Sequence, residues 1–241
     1  MQLLFTDVEA SGLFRYQDDD GKPLRADSPG QPRLAQIGLI FVDGNTGEIQ
    51  SQHEFLIKPR GWVMSKEAEE VTGLTTAYLE EHGGPIDEPL DLYQRAIESR
   101  RVIAGWNLRN YDMKLMRGEL RRAGKEDHFM QTRSICLMQA SRPIVRALDK
   151  RGYVKAPRLD EACTHFGIEQ PAGHKALADA MSTYQIWQKL REQGVHPELH
   201  DPYNKTPKTK KPGAKRVKKH DSDEEEDGTF RLDPLNPAGD E

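Results

Sequence analysis

Two apolar runs, Leu34 to Asp43 and Glu48 to Pro59, are joined through Asp43-Gly44-Asn45-Thr46-Gly47. Gly and Asn tolerate the positive φ angles of a tight turn, so this stretch predicts two antiparallel strands closed by a hairpin. A shorter apolar run, Leu3 to Asp7, precedes them and reads as a buried strand, so the chain opens with an antiparallel meander. Beyond Pro59 the pattern turns helical. Ser65 is a cap candidate with Glu67, Glu69 and Glu70 behind it, and Leu90 to Ile97 is amphipathic. Arg101 to Gly105 reads as a fourth strand. Tyr111 to Ala123, Leu159 to Phe166 (stopped by Gly167) and Ala176 to Leu190 carry helical spacing. Strands first, then helices with strands between them, predict a mixed α/β layer fold. Phe14 to Pro32, rich in Asp, Gly and Pro, is a loop long enough to overhang whatever the first strand presents.

Of the 241 residues, 36% are hydrophobic and 31% charged, which suits one compact domain with an appendage. No apolar stretch approaches the roughly 20 residues of a spanning helix, so membrane integration is not expected. The first residues lack a basic lead and reach Asp7 before a signal-like run develops, and no secretory signal is expected. Cys136 and Cys163 make neither a disulfide framework nor a four-ligand zinc site, which fits a reducing compartment. The expected location is the cytoplasm, or the nucleus if the source is eukaryotic.

The net charge of −4 hides an asymmetry. Lys205 to Lys219 holds eight basic residues and no acid, and Asp221 to Asp227 holds six acids and no base. From Asn204 onward the charges cancel, so Met1 to Tyr203 carries the whole −4. The expected division is a domain over residues 1–195 followed by a linker and charged tail over 196–241. The tail is too poor in apolar residues to offset the entropy of ordering, and disorder is expected there. It reads either as a solvating extension or as a mobile phosphate-binding arm, the latter doubling as an import signal in a eukaryote. A net negative body, taken alone, argues against a nucleic-acid partner.

Three segments carry chemistry. In Phe5-Thr6-Asp7-Val8-Glu9, residues two apart share a strand face, so Asp7 and Glu9 present adjacent carboxylates at the end of an apolar strand. Such a pair suits a hard divalent cation, and it equally suits an exposed strand end. In Gly105-Trp106-Asn107-Leu108-Arg109-Asn110-Tyr111-Asp112, a strand gives way to a helix whose first turn holds Asp112. This is the sheet edge where α/β proteins bind ligands, although an acid there also favours the helix dipole. In Gly173-His174-Lys175-Ala176-Leu177-Ala178-Asp179, a histidine precedes a long helix carrying Asp179. Five helical positions turn about 140° out of register, so the two can face one site only if His174 lies in the preceding loop. A histidine so placed is a candidate general base, or simply a surface histidine near a helix start.

Together and in this order, the three segments resemble the Exo I, Exo II and Exo III motifs of the DEDDh exonucleases, the DnaQ-like group of the ribonuclease H-like superfamily. Lys58-Pro59 through Val71-Thr72-Gly73-Leu74-Thr75 resembles the segment after the third strand in that family, and the resemblance runs from Leu3 to Leu190. Ala10-Ser11 stands where many relatives have two threonines, and Tyr111 where a Phe is common. The resemblance implies a mixed five-stranded sheet flanked by helices, and removal of nucleotides one at a time from a 3′ end. It implies two divalent ions, Mg²⁺ or Mn²⁺, held by Asp7, Glu9, Asp112 and Asp179, with Asp112 acting through water and His174 as the base. Four carboxylates and two such ions sum to zero, which removes the charge objection to a nucleic-acid partner. Ala10, Ser11, Gly12, Leu13 and Asn107 are the expected substrate contacts. DNA ends, single-stranded or frayed, are the expected substrate, with replication or repair proteins as companions. Competing readings are an exoribonuclease acting on RNA ends and a non-catalytic, polymerase-associated nucleic-acid-binding subunit.

Overall fold

The computed structural model describes residues 1–170 and 175–202. Strands β1 (Gln2–Ala10), β2 (Leu34–Asp43), β3 (Ile49–Leu56), β4 (Val102–Gly105), β5 (Ser134–Cys136) and β6 (Leu199–His200) form one sheet in the order β3-β2-β1-β4-β5-β6. β1 to β3 are antiparallel neighbours, as the hairpin turn predicts, and Asp43 secures that turn by accepting the Asn45 amide at 2.8 Å. β4 and β5 run parallel to β1, and β6 returns antiparallel to β5. The helices are α1 (Lys66–Thr72), α2 (Thr76–His82), α3 (Asp87–Glu98), α4 (Asp112–Arg122), α5 (Leu137–Val145), α6 (Leu159–Phe166) and α7 (Ala176–Glu192).

Strand alternation divides the core into two layers. Leu4 and Val8 of β1 pack with Ile37, Leu39 and Ile103 against the apolar stripes of α3 and α4. Leu3 and Phe5 pack with Ile40, Val42 and Val102 against α6 and α7. Asp7 and Glu9 are in phase with Leu3 and Phe5, so their carboxylates face the α7 layer. That helix is pinned tightly. The Phe5 ring meets Tyr184 and Trp187 with centroids 5.5 Å away in each case, and the Tyr184 hydroxyl donates to the Gly47 carbonyl at 2.7 Å. Gly38, opposite Asp7 in the β1–β2 register, allows α7 to touch the sheet backbone: a Cβ there would lie 2.5 Å from the Leu177 nitrogen.

The long segment between β1 and β2 is tied down by one buried carboxylate. Glu119 of α4 accepts Arg33 Nε at 2.8 Å, the Leu34 amide at 3.0 Å and Arg122 Nη1 at 3.2 Å. Arg122 also donates to the Ala26 carbonyl at 2.8 Å, and Gly118 leaves room for that carbonyl where a Cβ would approach within 2.6 Å.

The four strands placed in the sequence are present, β5 makes up the five that the resemblance implies, and β6 adds a sixth of two residues beside it, held in part by Arg133 Nε donating to Asp201 at 3.0 Å. Ser65 caps α1 as its spacing predicts, accepting the Ala68 amide at 3.1 Å. The sequence reading missed α2, β5 and α5. β5 is too short to show a period, and α5 contains Pro143, which reads as a breaker although it lies near the helix end. The expected disordered tail falls, from residue 203 onward, outside the described residues.

Candidate metal centre and substrate pocket

The site forms where β1 and β4 part. β4 pairs with β1 only from Leu3 to Phe5, while β1 continues to Ala10 against β2 alone. Beyond Gly105 the chain turns through Asn107, which adopts a left-handed φ of 47° and accepts the Asn110 side chain at 2.9 Å. This turn re-enters the protein as α4 and places Asp112, 4% exposed, beneath the end of β1.

Asp7, Glu9 and Asp179 each bring a carboxylate oxygen into one cluster, all within 4.8 Å of one another. Two side chains position the helical member. Gln36, opposite Glu9 in the β1–β2 register, accepts the Ala176 amide at 3.2 Å and donates to Glu54 at 3.0 Å, which fixes the first turn of α7. Gln170 donates to Asp179 Oδ1 at 2.8 Å. Neither glutamine stood out in the sequence, because a glutamine carries no signature until its partner is known.

The electrostatics are those of anions crowded out of water. Burial, and then the charge of Asp179, pushes the Glu9 carboxyl up to about 8. Asp7 lies well above the usual carboxylate range, first through burial and then through Asp112, Glu9 and Asp179. Asp112 is raised too, by burial and by Glu9, against the pull of the backbone amides of Asp112 and Val8. Asp112 Oδ1 is buried with no hydrogen-bond partner. Four acids crowded together, one with an orphaned buried oxygen, fit a divalent metal with oxygen ligands. Asp112 lies outside the three-oxygen group, and its charge acts on Asp7.

A cavity of about 1120 Å³ opens beside Glu9. Ala10 to Leu13 form one wall, and Gln31, Trp62, Tyr111 and Arg122 also line it. The wall is locked from three directions: Ser11 exchanges hydrogen bonds with Arg33 at 2.9 Å each, its carbonyl accepts the Ser65 amide at 2.8 Å, and the Gly12 carbonyl accepts the Tyr111 hydroxyl at 2.7 Å. Leu13, 76% exposed, projects from this rigid edge. Of the expected substrate contacts, Ala10 to Leu13 therefore border the cavity, whereas Asn107 is engaged in its own turn. His174 lies outside the described residues.

A mixed sheet with two carboxylates on its central strand, a third on a helix start and a fourth on a helix packed across them defines a ribonuclease H-like, DEDDh-type nuclease domain. The exonuclease family model RNase_T matches residues 4–187, and the chain belongs to that family. Comparison with curated proteins finds no significant match. Among solved structures, the chain is similar to E. coli Exonuclease I in complex with a dT13 oligonucleotide, with a TM-score of 0.62 and 19% identity, covering 79% of this chain and 41% of that one. It is also similar to the moderately thermophilic Exonuclease I from Methylocaldum szegediense, with a TM-score of 0.61 and 21% identity over 80% and 40% of the two chains. The zinc-bound form of the E. coli ExoI–ssDNA complex matches with a TM-score of 0.62 and 19% identity over 80% and 40%. The chain thus spans about two-fifths of the length of these structures.

Proposed function

We propose that this protein is a metal-dependent exonuclease that removes nucleotides from the 3′ end of single-stranded or frayed DNA. The observation that carries this is the convergence of Asp7, Glu9 and Asp179 within 4.8 Å beside a cavity, in a chain of the exonuclease family. The Exonuclease I structures with oligodeoxynucleotides support DNA as the substrate.

Asp7, Glu9 and Asp179 would hold one divalent ion and Asp7 would share a second, with Asp112 supporting the pair. When bound, such ions neutralise the carboxylates and stabilise the charge that develops on the phosphate during in-line displacement. The rest falls to the chain. Backbone groups of Ala10 to Leu13, held rigid by Arg33, Ser65 and Tyr111, position the terminal nucleotide. Leu13 offers an apolar edge to its base. His174 takes the proton from the attacking water, and Gln170 and Gln36 keep Asp179 oriented while it does so.

The test uses 3′- and 5′-labelled DNA and RNA oligonucleotides with Mg²⁺ or Mn²⁺. Wild type should give a ladder shrinking from the 3′ end of DNA, and Asp7→Ala should give none. Shortening from the 5′ end, or an equal ladder from Asp7→Ala, overturns the reading, and faster loss of RNA moves the substrate to ribonucleotides. His174→Ala should slow turnover while leaving Mn²⁺ binding intact.

A further inference from the structure

The described body is acidic overall, yet its cations are not spread evenly. Between Arg142 and Arg158 there are six basic residues, Arg142, Arg146, Lys150, Arg151, Lys155 and Arg158, against three acids counted out to Glu161: Asp149, Asp160 and Glu161. Lys155 and Arg158 are paired with Glu161 and Asp160 at 2.6 and 2.7 Å. Arg142 donates to the Val154 carbonyl at 3.3 Å. Arg146, Lys150 and Arg151 are exposed and make no ion pair with any described residue.

These three cations sit on a small hairpin between α5 and α6 that is held in shape by its own hydrogen bonds. Leu148 bridges Val154, the Lys155 amide donates to the Ala147 carbonyl at 2.9 Å, and the Asp149 amide donates to the Tyr153 carbonyl at 2.8 Å. The Asp149 carboxylate accepts the amides of Arg151 and Tyr153 at 2.9 Å each, so it serves the turn and not the neighbouring cations. The ordered hairpin leaves large apolar groups in solvent: Tyr153 is 70% exposed and Leu148 58%. An aromatic platform flanked by unpaired cations matches the two demands of a single nucleic-acid strand, stacking for the bases and positive charge for the backbone.

We propose that the hairpin of residues 146–155 is a second nucleic-acid contact, which grips the single strand away from its 3′ end. Tyr153 stacks on a base, and Arg146, Lys150 and Arg151 meet backbone phosphates. The hairpin rises from α5, which leaves the C-terminal end of β5, a strand parallel to the one that carries Asp7 and Glu9. This assignment rests on the nuclease reading and names how that enzyme holds a long substrate.

The full-length wild type is compared with Tyr153→Ser and with Lys150→Gln/Arg151→Gln, on 5′-fluorescein-labelled dT 20-mers and 4-mers. Binding is followed by anisotropy with Mn²⁺ on a non-hydrolysable phosphorothioate backbone, and turnover with Mn²⁺ on the ordinary phosphodiester. Loss of one stacked base should weaken 20-mer binding roughly five- to hundredfold. Loss of two phosphate contacts should lower the slope of log affinity against log salt by about 1.4. Hydrolysis of the 4-mer should keep its wild-type kcat and KM, which also reports that the variants are folded. Unchanged 20-mer affinity and salt slope in both variants overturn the proposal, as does an equal loss on both lengths. A wild type that cleaves neither oligonucleotide, but whose 20-mer binding still depends on Tyr153, sinks the nuclease reading and supports the hairpin contact.

Discussion

Replacing Glu9 by Gln should make the metal-free protein more stable at neutral pH while abolishing its metal site. The Glu9 carboxyl titrates at about 8 in the folded chain against 4.5 ordinarily, so between those values the native state holds a proton that the unfolded chain has released. Stability falls with rising pH wherever the native state binds more protons, so this group erodes the fold as pH climbs from about 4.5 toward 8. At 1.36 kcal/mol per unit, the interval from 4.5 to pH 7 amounts to roughly 3 kcal/mol. Gln mimics the protonated acid and does not titrate. In chelator, urea unfolding of Glu9→Gln should therefore show up to roughly 3 kcal/mol more stability than wild type at pH 7, and near equality at pH 4.5. Adding Mn²⁺ at a thousand times its Kd should reverse the order, since it then stabilises wild type by about 4.1 kcal/mol and the variant by less. A variant no more stable than wild type at pH 7, or equally shifted at both pH values, would refute the account of crowded, desolvated anions.

Other outcomes follow from the packing. Gly38→Ala should drive the α7 backbone off the sheet, costing roughly 1–3 kcal/mol in thermal melts and weakening Mn²⁺ binding by calorimetry; wild-type affinity would show that α7 does not set the site. Phe5→Ala removes the ring that anchors Tyr184 and Trp187 and should cost roughly 3–5 kcal/mol in urea unfolding. Arg33→Met leaves Glu119 buried with one guanidinium fewer. It should cost roughly 3 kcal/mol and expose residues 14–32 to limited proteolysis. Oligonucleotide binding should also require the divalent ion, and equal anisotropy-derived affinities in chelator and in Mg²⁺ would contradict the neutralised centre.

How much of this was legible in the chain depends on where the determining physics is local. The hairpin at Asp43, the Ser65 cap and the stop at Gly167 are chemistry within a few residues, and each appears where its spacing predicts. Asp7 and Glu9 were readable because strand alternation alone puts them on one face. Their meeting with Asp179 was readable only through the family resemblance, since no local rule specifies how deeply α7 sits. That depth comes from Gly38 and Gln36, ordinary strand residues whose roles exist only across the β2–α7 contact. β5 and α5 escaped notice because three residues show no period and Pro143 argues locally against a helix that its neighbours stabilise.

The helix that seals one layer of the core also delivers the last acid, 172 positions after the first. A ribosome making this chain therefore emits a harmless polypeptide up to that point, because the cutting apparatus has no third jaw until residue 179 and its helix clear the exit tunnel. Arming and completion of the globule coincide, so partially built molecules should pose no danger to the nucleic acids around them.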